Sequence, residues 1–118
     1  MQPFVHQAVL TLPADGDDGG PGGAITLALC GSWEHPPPCP LAPHHTAVER
    51  SPDGVLLRTV FACRPADEAR VRQRIEDALA GQVLIGPDGV ERTWSVGAVG
   101  PGTLRPDERD LAARFADG

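Results

Sequence analysis

The sequence predicts a single α+β domain spanning residues 1–118, in which a mainly antiparallel sheet of about six strands carries two helices on one face. Three observations predict this fold. A chain of 118 residues has room for one modest hydrophobic core. Several short segments alternate apolar and polar residues, as half-buried strands do. Two other segments repeat apolar residues every three to four positions, as helices do. The predicted order is β-β-β-β-α-β-β-α, and strands joined by tight turns pair antiparallel.

The first two predicted strands are residues 5–12 and residues 24–33. Residues 13–23 between them are rich in aspartate and glycine, which predicts a flexible acidic hairpin loop. In the second strand the apolar side chains fall at every other position: Ile25, Leu27 and Leu29. This alternation places them on one face of a strand.

Two hairpins are predicted around Pro-Asp-Gly turns, because proline presets one turn position and glycine accepts a positive φ at another. The predicted strands are residues 44–50 and 55–63 for the first hairpin, and residues 83–85 and 90–99 for the second. Antiparallel pairing about the first turn places His44 opposite Phe61. A bulge at Gly54 would instead turn His45 towards that face.

Two helices complete the predicted fold. Residues 66–80 form the first, with acidic residues at its start and Gly81 after its end. Its apolar stripe is Val71, Ile75, Ala78 and Leu79. Residues 106–116 form a second, shorter helix that opens on proline and must dock to persist. Its stripe is Leu111, Ala112 and Phe115.

The charge balance excludes some classes of function. The formal net charge is −6 and the chain contains no lysine, so it lacks the basic cluster that nucleic acids and anionic membranes require. The N-terminal segment lacks the features of a signal peptide, and no segment has the length of a membrane span. We therefore expect a cytoplasmic protein with free thiols. The excess of arginine over lysine reflects GC-rich coding, which indicates a bacterial source.

The stretch "CGSWEHPPPCPLAPHH", residues 30–45, contains two cysteines and three histidines. Its proline-rich part, residues 34–43, predicts a stiff crossover between strands. Two thiolates and two imidazoles suit tetrahedral zinc. The candidate ligands are His35, Cys39, His44 and Cys63, with His45 as the substitute for His44. Since no CxxC or HxxxH spacing supports the set, the ordinary interpretation of Cys63 as a small buried hydrophobe stays beside it.

Three hypotheses about function follow. The first, which we favour, is a non-enzymatic binding or accessory module that contacts a protein or a small ligand. Trp33, Pro37 and Pro38 would supply its rigid apolar wall, and self-association is left open. The second is a zinc-binding domain. The third is a thiol-dependent enzyme in which Cys39 pairs with a histidine, although the loop shows no oxyanion hole and no third residue to orient that histidine.

Overall fold

The computed structural model describes residues 1–12, 19–30, 42–52, 54–86 and 88–117, with Cys30 described by its backbone alone. These residues form six strands: β1 (Gln2–Thr11), β2 (His44–Ser51), β3 (Gly54–Cys63), β4 (Val83–Ile85), β5 (Glu91–Thr93) and β6 (Ser95–Gly102). They also form three helices: α1 (Gly19–Cys30), α2 (Glu68–Ala80) and α3 (Arg109–Ala116). One 3₁₀ turn precedes α2, at Pro65–Asp67, and another precedes α3, at Pro106–Glu108.

The strands make two sheets where the sequence predicts one. The larger sheet has the order β2-β3-β1-β6 and every pair in it is antiparallel. Strands β4 and β5 form a separate two-stranded sheet. The α+β class with an antiparallel sheet is therefore confirmed, while the single sheet of about six strands is wrong. Without the β4–β5 hairpin and α3, the element order is β-α-β-β-α-β, the split βαβ or ferredoxin-like arrangement.

Helix α1 replaces the predicted strand at residues 24–33. Its buried side chains recur at helical spacing: Pro21, Ala24, Ile25 and Leu29. Leu27, which strand alternation placed with them, is 39% exposed. The glycines of the predicted loop begin this helix, and Gly20 allows close packing: a Cβ there would lie 2.9 Å from Cβ of Arg92. The remainder of the predicted loop, residues 13–18, lies outside the described residues.

Helices cover both faces of the larger sheet, so their predicted placement on one face is also wrong. Helices α1 and α2 pack on the face that carries the larger core. That core includes Ala8, Leu10, Ile25, Leu29, Leu57, Phe61, Val71, Ile75 and Leu79. On the other face, Ala112 of α3 packs with Val5 and Val60 in a smaller cluster that Leu104 and Phe115 border. This second face holds the candidate site.

The first hairpin has the predicted register. His44 pairs with Phe61, and the ladder continues without a bulge to Ser51 opposite Gly54. Gly54 has φ +133°, which only glycine adopts readily. The second hairpin is shorter than predicted, because the chain leaves it at Trp94 and continues as β6 beside β1. The indole N–H of the buried Trp94 donates to the carbonyl oxygen of Leu79 at 2.9 Å, which ties this crossing to α2.

The two helices predicted at residues 66–80 and 106–116 are confirmed as α2 and α3 with the 3₁₀ turns that precede them. Within the described parts of the chain, no helix has both the length and the apolar character needed to cross a membrane.

Candidate functional site

The structure describes three of the eight predicted site residues, His44, His45 and Cys63. His35, Cys39 and the predicted wall of Trp33, Pro37 and Pro38 lie outside the described residues. His44 is half-buried on the sheet face that α1 covers. Its Nδ1 lies 3.3 Å from the carbonyl oxygen of Ala42, which only accepts, so Nδ1 carries the proton. Nε2 then accepts from the hydroxyl of Thr26 at 3.1 Å, and the lone pair that a metal would need is engaged.

Cys63 ends β3 on the same sheet face as His44 and is 2% exposed. Burial raises the pKa of its thiol, and the carboxylates of Asp67 and Glu68 raise it further. The thiol is therefore held protonated, whereas zinc and nucleophilic chemistry need the thiolate. Among the described residues, no group of three or more His, Cys, Asp or Glu side chains is arranged to hold a metal. The zinc and thiol hypotheses thus remain predictions that depend on His35 and Cys39.

His45 points to the opposite sheet face and lines a cleft of about 190 Å³ between that face and the start of α3. Strands β2 and β3 form its floor, and the segment from residue 105 to residue 111 forms its wall. The lining consists of His45, Ala47, Glu49, Arg58, Val60, Arg105, Asp107, Glu108 and Leu111. Side chains at alternate positions of each strand enter the cleft because a strand sends every second residue to one face.

Arg58 is the most deeply buried charged group of this cleft. It is 3% exposed in the middle of β3, and it donates four hydrogen bonds. Two go to the carboxylate of Glu108, at 3.0 and 2.7 Å. The others go to Oε1 of Gln7 at 2.8 Å and to the carbonyl oxygen of Thr103 at 2.7 Å. A buried guanidinium needs such partners, since an unpaired buried charge is very costly.

Glu108 connects this arginine to the helix that closes the cleft. Its Oε1 also accepts from the backbone N–H of Arg105 at 2.8 Å, which caps the turn that leads into α3. The hydrogen bonds from Arg58 hold the pKa of Glu108 below its usual 4.5, so the pair is ionised at neutral pH. The Arg58–Glu108 ion pair therefore links the turn that leads into α3 to the sheet.

The mouth of the cleft is polar and open. Arg105 donates to Glu49 across it, and both side chains are partly exposed. The exposed His45 and Asp107 complete the rim. Neither of these two side chains makes a hydrogen bond or ion pair with another residue of the described chain. The cleft thus holds two arginines, each in an ion pair with a glutamate. It also holds two exposed polar side chains, and one of them, Asp107, is close enough to Arg105 to raise its pKa.

A second polar cluster lies under α2. His6 is 2% exposed on β1, and Arg72 of α2 donates from NH1 to its Nδ1 at 2.9 Å and to the carbonyl oxygen of Val5 at 2.7 Å. The Arg72 guanidinium also stacks over the rings of Phe4 and Phe61. Because these side chains fill the space between sheet and helix, we interpret the cluster as structural.

Sequence reasoning missed the cleft for two reasons. Both helices were expected on one face, which left the other face of the sheet without a wall. His45 was expected only as a metal ligand, in place of His44. One signal was present: Arg58 interrupts the apolar run of β3 at a position where burial demands a carboxylate partner.

Comparisons with protein-family models, with curated proteins and with solved structures give no significant match to this chain.

Proposed function

We propose that the protein is a binding module that takes a small ligand in the cleft between β2, β3 and α3. The observation that carries the proposal is the cleft itself, which is lined by a buried arginine with four hydrogen bonds and by the exposed polar side chains of His45 and Asp107. Its volume of about 190 Å³ is below the roughly 300–1,000 Å³ of pockets for drug-sized molecules. The proposed ligand is accordingly smaller than the drug-sized molecules that such pockets hold.

The arrangement favours binding because its parts are held in place before a ligand arrives. Arg58 and Val60 project from a strand that is paired on both sides, by β1 and by β2. Glu108 is restrained by two hydrogen bonds from Arg58 and one from the backbone of Arg105. A preorganised site spends less conformational entropy on binding than a flexible one. The apolar side chains of Ala47, Val60 and Leu111 offer a small surface for the body of a ligand.

The experiment is a fragment screen followed by ¹H–¹⁵N NMR on the full chain. A ligand of the cleft should shift the amide signals of Ala47, Val60 and Leu111. Ala47→Leu fills the cleft, and Ala113→Leu makes the same change at an exposed position of α3. We expect fragments to bind the native protein and Ala113→Leu, and to lose binding in Ala47→Leu. Equal binding by both variants, or the absence of any binding fragment, would overturn the proposal.

A further inference from the structure

We infer that the ligand of this cleft is a small organic cation, with a primary ammonium group on a short apolar body. The inference rests on the proposed function and names the chemical class that the same site selects. It follows from the pairing of each charged group around the cleft.

The positive groups of the cleft are outnumbered by its carboxylates. Arg58 gives four of its five N–H donors to Glu108, Gln7 and Thr103. Arg105 donates to Glu49, and the charge of Asp107 also acts on it. Because carboxylates are in excess in the lining and the chain has a net charge of −6, the cleft disfavours anions.

Asp107 is the hydrogen-bond acceptor that the lining leaves available. Its carboxylate makes no hydrogen bond or ion pair with another described residue, and it lines the cleft together with His45. An ammonium group has three N–H donors and no acceptor, so it can donate to this carboxylate. Its bond to Asp107 is of the strong, charge-assisted kind. The lining holds three carboxylates and two guanidinium groups, and one added positive charge balances them.

The remaining lining selects the body of the ligand. Ala47, Val60 and Leu111 are the apolar residues of the lining. A short alkyl chain packs on such a surface, whereas a sugar or a polyol would leave hydroxyl groups without partners. The inferred ligand is therefore an alkylammonium ion, in preference to a polyhydroxylated amine.

The test compares three probes of similar size that differ in charge: n-butylammonium, 1-butanol and butyrate. Each is titrated into the full chain at neutral pH and low salt, and binding is followed by the NMR signals of Ala47, Val60 and Leu111. We expect n-butylammonium to bind more tightly than either of the other two. Asp107→Asn should weaken its binding about tenfold. Asp110→Asn makes the same change of charge at an exposed site on α3 outside the cleft and should leave binding unchanged.

The outcomes test separately the charge of the ligand, the role of Asp107 and the existence of the binding site. Tighter binding of butyrate or of butanol overturns the cationic class while the cleft remains a ligand site. Equal weakening by Asp107→Asn and Asp110→Asn overturns the role of Asp107, because it shows a general effect of charge. If n-butylammonium does not bind, the inference fails; if in addition no fragment of the earlier screen binds, the proposed function fails with it. Thermal unfolding of both variants confirms that they are folded.

Discussion

Arg72 holds the imidazole of His6 in one tautomer. The NH1 group of Arg72 lies 2.9 Å from Nδ1 of His6, and because a guanidinium only donates, Nδ1 must accept. The ring proton therefore sits on Nε2, which lies 3.1 Å from Oε2 of Glu76. Burial lowers the pKa of His6 below 6.5, and the charge of Arg72 lowers it further, against a smaller opposite effect of Glu76. The folded protein thus favours the neutral form of His6.

The first prediction is a loss of stability below pH 6.5 that depends on His6. Since the folded pKa is lowered, the unfolded chain takes up a proton first as the pH falls through 6.5. The contribution of His6 to stability is therefore undiminished above this pH, and it declines as the pH falls towards the folded pKa. Urea unfolding at about pH 7.5 and about pH 5.5 measures this decline, which should be smaller in His6→Gln.

His45→Gln is the matched control for this prediction, because His45 is exposed. This variant should keep the pH dependence of the native protein. Each variant retains three of the four histidines, so the comparison sets the loss of the buried His6 against the loss of an exposed histidine. A His6→Gln protein with an undiminished pH dependence would contradict the assignment of a lowered pKa to His6.

The second prediction concerns the buried ion pair of the cleft. Glu108→Gln leaves Arg58, which is 3% exposed, without a compensating charge. We expect the free energy of unfolding to fall by about 3 kcal/mol, the lower end of the range for breaking a buried pair, because Glu108 is 13% exposed. Urea unfolding at neutral pH measures the loss.

Glu49→Gln provides the comparison, since it breaks the exposed pair between Glu49 and Arg105 in the same cleft. An exposed ion pair contributes little, because water and salt screen it. This variant should unfold at nearly the same urea concentration as the native protein. Similar losses in both variants would show that Arg58 is solvated and does not depend on Glu108.

The sequence predicted helix α2 correctly, and it predicted a strand where helix α1 lies. The stripe of Val71, Ile75 and Leu79 has only one interpretation, and these residues are buried in α2. Residues 24–29 allow two interpretations, a helix and a strand, because positions 25 and 29 share a face in both. Strand pairing decides between them: β1 and β2 both pair antiparallel with β3, so they run parallel to each other and need a long connection.

The third prediction separates the two interpretations of this segment by Leu29→Ala and Leu27→Ala. In helix α1 Leu29 is buried and Leu27 is 39% exposed. Leu29→Ala should therefore cost about 2–5 kcal/mol, and Leu27→Ala about 0.5 kcal/mol or less. In a strand both side chains would face the core, and the two losses would be alike. Urea unfolding of both variants makes the measurement.

The candidate site was less predictable than the fold, because its residues come together only through tertiary packing. His45 and Glu49 follow from the register of the first hairpin, which the sequence predicted correctly. Arg105 and Asp107 reach the same cleft only because α3 docks on the face opposite α1 and α2. The apolar stripe of α3 shows that this helix must pack, and it contains no information about the face on which it packs.

The fourth prediction is that Cys63 is an unreactive, metal-free thiol in the folded protein. Burial raises its pKa, so both the reactive thiolate and access to reagents are suppressed. In a variant with Cys30→Ser and Cys39→Ser, Cys63 is the remaining thiol. We expect it to react with DTNB only as fast as the protein opens, and rapidly in urea. Fast reaction without urea would contradict its burial. Near-stoichiometric zinc in chelator-free native protein, lost in Cys63→Ser, would instead establish the zinc site, since thiolate coordination requires the proton to leave.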